Sequence, residues 1–109
     1  MKPQILFEDY AKVEIRVGEI VEASIPEGSE KLLQFTVDFG DEKRTIFSGI
    51  KEWYKPEELV GVRTMWVTNI PPKTTPFGES QGMLFACGGE GKPEIIKLGK
   101  KIEKGAVFH

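Results

Sequence analysis

The sequence predicts an all-β fold closed into a small barrel, and three observations carry that expectation. Leu33, Phe35, Val37 and Phe39 alternate with Gln34, Thr36 and Asp38, and Val13, Ile15 and Val17 alternate with Glu14 and Arg16. This is the period of strands with one buried face. Turn clusters separate the apolar runs, as in Pro26-Glu27-Gly28-Ser29 and Gly40-Asp41-Glu42. The strongest helix signal, Pro56-Glu57-Glu58-Leu59 followed by Gly61, falls between the third and fourth of these runs. Proline presets the first turn, the acids complement the positive end of the helix dipole, and glycine ends it.

Taken in order, residues 1–12 form an arm in which Phe7, Tyr10 and Ala11 have the spacing of one helical turn. Residues 13–25 read as one long strand, bent where Gly18 breaks the apolar phase. Leu33 to Phe39 is a second strand, and Lys43 to Ser48 a third with Ile46 inside. Ile50, Trp53 and Tyr54 carry helical spacing into the Pro56 helix, and Arg63 to Thr68 is the fourth strand. Gln81 to Cys87 is the fifth, Ile95 to Leu98 a short sixth, and Val107-Phe108 a further pairing segment. Five strands with a helix between the third and fourth is the order of the OB-fold, a five-stranded Greek-key barrel that often binds oligonucleotides. The expected layout is a core over about 13–89, with terminal extensions at 1–12 and 90–109, all within one domain of 109 residues.

Composition bounds the chemistry. The net charge of −2 means that any polyanion site must gather its lysines and arginines on one face while the acids lie elsewhere. Cys87 is the sole cysteine and His109 the sole histidine, which leaves no disulfide, no zinc set and no nucleophile–histidine pair. The expectation is a non-enzymatic protein without a cofactor. The lone cysteine points to a reducing, cytoplasmic setting, and the early charges of the opening residues leave no signal-peptide apolar region.

The stretch from Asn69 to Gly89 is where binding is expected. Pro71, Pro72 and Pro76 fix φ and remove backbone donors, so this part reads as a stiff exposed loop. Met83-Leu84-Phe85-Ala86, bounded by glycines, reads as a buried strand directly after it. Loops held by a rigid scaffold commonly carry binding residues.

Ordered motifs then supply a resemblance. Phe7-Glu8-Asp9-Tyr10 precedes Val13-Glu14-Ile15-Arg16-Val17-Gly18. Glu27-Gly28-Ser29-Glu30-Lys31-Leu32 follows, and then Gly40 to Ile46, Ser48-Gly49-Ile50, Tyr54 to Gly61, Asn69, and Gly78-Glu79-Ser80-Gln81-Gly82-Met83-Leu84. The set resembles the tRNA-binding domain found at the C-terminus of bacterial methionyl-tRNA synthetases, and free-standing as a small dimeric tRNA-binding protein or synthetase beta subunit. The resemblance implies an OB-fold, a homodimer built through the terminal extensions, and shape-based tRNA binding without catalysis. Carried over residue by residue, it implies tRNA contacts from Lys31, Asn69, Lys73, Ser80 and Met83, with Arg44 a further basic candidate on a strand face. The chain departs from the family's pattern at Thr74-Thr75-Pro76-Phe77-Gly78, where a second basic residue is usual. There Phe77 could replace charge by stacking on an unpaired base. The Pro71-Pro72 loop also resembles that of a dimeric export-type chaperone of the same fold, which makes extended peptide the alternative ligand. In the dimer, Ile5, Leu6 and Phe7 of the arm and Val107 and Phe108 of the tail are expected to meet across a two-fold axis.

Overall fold

The alternating runs become the walls of a barrel. The computed structural model describes residues 1–88 and 90–109. Strands β1 (Ile15–Ser24), β2 (Leu33–Asp38), β3 (Lys43–Ser48), β4 (Arg63–Val67) and β7 (Met83–Leu84) form an antiparallel sheet in the order β3-β2-β1-β4-β7. Helix α1 (Phe7–Tyr10) precedes the sheet, and α2 (Pro56–Leu59) lies between β3 and β4. At the start of α2, the backbone N–H of Lys55 donates to the Glu58 carboxylate at 2.8 Å, a capping contact that satisfies one orphan donor. Among the described residues, no helix is long and apolar enough to cross a membrane.

The inward positions of the strands make one core. Trp66, Phe35, Phe39, Ile20, Leu33 and Ile46 are fully buried, and Phe35 meets Trp66 edge to face with ring centroids 6.0 Å apart. Full burial of each such side chain contributes about 1.5–3 kcal/mol, so these few residues dominate the stability of so small a barrel. The indole N–H of Trp66 donates to the carbonyl of Gly18 at 3.0 Å, which satisfies its one buried donor.

Several sequence expectations change at this level. The bend in β1 falls between Ile20 and Glu22, where the register against β2 slips, and not at Gly18. Gly18 has a packing role: a Cβ there would lie 2.5 Å from Val37 Cγ1, 2.7 Å from Phe39 and 2.8 Å from Trp66. The turn at Ile50 to Tyr54 is held by bonds from the Trp53 and Tyr54 N–H groups to the Ile50 carbonyl, without forming a helix of its own.

The expected fifth strand splits in two. Met83–Leu84 pairs with β4, whereas β8 (Ala86–Cys87) pairs with β9 (Glu94–Ile95) in a separate ribbon. Only Leu84 of the run Met83 to Ala86 is buried; Met83, Phe85 and Ala86 are exposed. The proline stretch is not an open loop. It folds into a hairpin of β5 (Lys73–Thr75) and β6 (Gly78–Ser80), with Pro76 and Phe77 at the turn, where neither must donate to the ladder.

The tail beyond residue 90 returns to the barrel. Ile95 is buried in the core, and Leu98 bridges Arg63 as the outer part of the expected sixth strand. Val107 bridges Arg16, and the Phe108 N–H donates to Ile15 O at 2.8 Å, so the expected Val107-Phe108 pairing is formed against β1. Gly89, which the sequence reading made the end of the core, lies outside the described residues.

Replacing Gly18 with alanine should destabilise the barrel by about 1–3 kcal/mol through overpacking. Urea unfolding would show this as a lower midpoint with an unchanged slope; an unchanged midpoint would refute the close-packing role.

Candidate nucleic-acid interface

The barrel closes where β3 meets the end of the hairpin, and the groove lies over that seam. The closing bonds are made partly by side chains. The Ser80 hydroxyl accepts from the Phe47 N–H at 3.0 Å and donates to Gly82 O at 3.1 Å. The Gln81 side-chain oxygen accepts from the Thr45 N–H at 2.8 Å, while the Gln81 N–H donates to Thr45 O at 2.8 Å. Arg44 reaches the same seam, donating to Thr68 O at 2.6 Å and to Gln81 O at 3.2 Å. Its other face meets Glu42 at 2.7 Å.

Above this seam is an open groove of about 440 Å³. Leu32, Phe47 and Leu84 contribute to its apolar lining, Ile70 and Pro71 form one lip, and Lys73, Thr74 and Pro76 belong to the hairpin side. The Thr75 hydroxyl donates to Gly78 O at 2.7 Å and accepts from the Phe77 N–H at 3.1 Å, which fixes the hairpin turn. Met83 is 49% exposed and lines the groove, because alternation along β7 turns Leu84 inward and Met83 outward.

The residues singled out from the sequence therefore separate. Lys73, Ser80 and Met83 line the groove. Ser80 is buried and its hydroxyl is engaged twice within the protein. Lys31 borders a second cleft that shares Gly49 with the groove. Phe77 is half-buried at the hairpin tip and outside the groove lining. Arg44 is committed to the seam. Asn69 faces away from the groove toward the arm: its side-chain oxygen accepts from the Glu14 N–H at 2.8 Å and its amide donates to Lys12 O at 2.5 Å. Sequence reasoning missed Phe47 and Ile70. A β-branched or aromatic residue at a strand end gave no sign that a hairpin would fold over it.

Charge is partitioned by the same framework. All three arginines of the chain are held by internal carboxylates: Arg16 by Asp41, Arg44 by Glu42 and Arg63 by Glu19. Arg63, together with Lys100, holds the Glu19 carboxyl below its ordinary range; Lys104 does the same for Asp38, Arg16 for Asp41 and Arg44 for Glu42. Lys31 and Lys73 make no ion pair among the described residues and are exposed. Among the described residues no carboxylate lines the Lys73 groove, whereas Glu30 and Glu52 accompany Lys31 in its cleft. The cations available at this face are thus lysines, which serve as point charges for phosphate rather than as planar forks.

Residues 15–107 match the family model described as "Putative tRNA binding domain". The chain belongs to this family. The tRNA-binding domain is 44% identical, over 102 residues and 94% of its length, to the methionine–tRNA ligase of Caldanaerobacter subterraneus subsp. tengcongensis, and spans 16% of that enzyme. It superposes on the methionyl-tRNA-synthetase-related protein from Pyrococcus horikoshii with a TM-score of 0.94 and 34% identity, covering 99% of this chain and 100% of the other. It also shares its fold with the chaperone CsaA of Bacillus anthracis str. Ames, with a TM-score of 0.87 and 22% identity over 98% of this chain and all of the other. The OB-type barrel, closed or nearly so, and the short helix after the third strand are those of the tRNA-binding family.

Ser80→Ala should leave the Phe47 N–H buried without a partner and cost about 1–3 kcal/mol, whatever its effect on RNA. A melting temperature equal to that of the parent would show that the hydroxyl does not close the seam.

Proposed function

We propose that the domain holds the outside of tRNA through the groove with Lys73 and the adjoining cleft with Lys31, using backbone and shape contacts without catalysis. Family membership supports the ligand, and one structural observation supports the place: unpaired Lys31 and Lys73 stand along adjoining clefts that meet at Gly49. Phosphate contacts position such a complex, and apolar surface at Met83 and Ile70 lies against ribose or base. Lys31, Lys73, Met83 and Phe77 are the contacts we assign to the ligand; Arg44, Asn69 and Ser80 are assigned to holding the scaffold that presents them. We infer that the domain works in the cytoplasm and helps a methionyl-tRNA synthetase retain its tRNA. Peptide binding of the chaperone type is the less supported reading, because that likeness is one of fold and the arginine-free groove edge carries Lys73, a point charge suited to phosphate.

Titration with bulk tRNA at several salt concentrations tests this. Binding should weaken linearly on a log–log plot, and Lys31→Gln or Lys73→Gln should each reduce the slope by about 0.7–0.9, one phosphate contact. Absence of binding at low salt would refute the assignment.

We further propose a homodimer through the arm. Ile5, Leu6 and Phe7 are 67%, 65% and 79% exposed, and Val107 is 51% exposed beside them across a cleft that Phe7, Tyr10, Val107 and Phe108 help to line. So much apolar surface on adjoining segments is suited to a self-complementary contact. Removal of residues 1–8 should give monomers in sedimentation velocity; a dimer that survives the deletion would exclude the arm as its interface.

A further inference from the structure

Trp53 belongs to no part of the groove, yet it stands at the edge of an open cleft of about 540 Å³ lined by Glu30, Lys31, Gly49, Lys51, Glu52 and Trp53. We propose that this cleft is a nucleotide subsite in which an unpaired base of the RNA stacks on Trp53. The proposal rests on the tRNA reading above and states which part of the RNA the face takes.

Four observations carry it. The Trp53 side chain packs partly against the core, and its backbone is fixed in the turn by the main-chain N–H donating to Ile50 O at 3.0 Å, so packing holds one face of the ring while the half-buried residue borders the cleft. A fixed aromatic surface costs little ordering entropy when a base stacks on it. Two cations flank it: the Lys51 N–H donates to Lys31 O at 3.1 Å, which sets the two lysines side by side, and the Lys51 ammonium donates to Ser29 O at 2.6 Å. An ammonium has three donors, so the anchored Lys51 keeps two for a phosphate.

Glu30 and Glu52 offset the lysine charges, so the cleft is not a simple anion sink. Carboxylates there can accept from the amino and imino groups of a base edge while the lysines meet its phosphate. Finally, Gly49 borders both this cleft and the groove, and a Cβ at Gly49 would meet nothing within 4 Å, so the passage between the two is open. A strand can therefore run from Trp53 past Gly49 to Met83. A base inside a duplex has both faces stacked and its pairing edge occupied; only an unpaired nucleotide fits these contacts.

Trp66 is fully buried, so a change in tryptophan emission on adding RNA reports Trp53. The wild-type protein should show quenching with tRNA and with a short single-stranded oligoribonucleotide, and none with a duplex of the same sequence. Trp53→Leu should weaken tRNA binding about fivefold or more while leaving the salt slope unchanged, and Trp53→Phe should restore affinity but not the quench. Because Trp53 touches the core, Gly49→Val provides an independent arm: it should weaken binding by obstructing the passage, with an unchanged melting temperature. Salt-dependent tRNA binding with no change in emission, or a Trp53→Leu affinity within twofold of the parent, would overturn the subsite while leaving the tRNA assignment in place. Quenching by duplex as strong as by single strand would also overturn it. Failure of the wild type to bind tRNA at all would remove both.

Discussion

The arrangement depends on how the barrel is closed. Strand β3 and the end of the hairpin do not complete a regular backbone ladder; Ser80 and Gln81 supply side-chain atoms in place of missing backbone partners for Phe47 and Thr45. Buried backbone donors must be paired, so these two polar side chains are as much a part of the sheet as its peptide groups. The seam also fixes the groove. Phe47 sits on the groove side of the closure, the hairpin stands over it, and Met83 emerges three residues beyond Ser80. Any change that opens the seam therefore alters the groove floor before it touches a ligand-facing residue.

Closure by polar atoms has an electrostatic counterpart. Each arginine bonds to carbonyl oxygens as well as to a carboxylate: Arg16 reaches Gly105 and Phe39, Arg44 reaches Thr68 and Gln81, and Arg63 reaches Lys100 and Ile102. Guanidinium groups suit this work because their several donors lie in one rigid plane. Two of them strap the tail to the barrel, and Lys104 adds a bond to Asp38 on the same side. Three of the seventeen acids, Glu19, Asp41 and Glu42, are engaged by these arginines, and Lys73 stands exposed in a groove whose described lining carries no carboxylate.

Much of the fold was legible in the chain. Alternation placed the start of β1 and all of β2 within a residue or two, because one buried face imposes a period of two on the side chains, and the turn at Gly40-Asp41-Glu42 placed β3. Proline, acids and glycine placed α2, because those preferences are set by the local backbone. The errors fall where local rules compete with distant partners. The apolar run Met83 to Ala86 has the composition of a core strand, but its ends pair with different sheets and most of it is exposed. Gly18 looked like a bend, yet its role comes from Trp66, Val37 and Phe39, which are remote in sequence.

The site follows the same division. Sequence alone determined that this is a small all-β barrel of the tRNA-binding kind, and it marked the stretch after Asn69 as the place to look for a site. Those conclusions depend on composition, period and motif order, all of which are local or linear. Tertiary structure decided which motif residues face outward. Ser80, Arg44 and Asn69 are engaged by backbone groups 24 to 57 residues away, whereas Lys31 and Met83, in unrelated segments, come to adjoining clefts. A polar side chain reads the same in a sequence whether it bonds to its own fold or to a ligand. Only the positions of its distant partners separate the two.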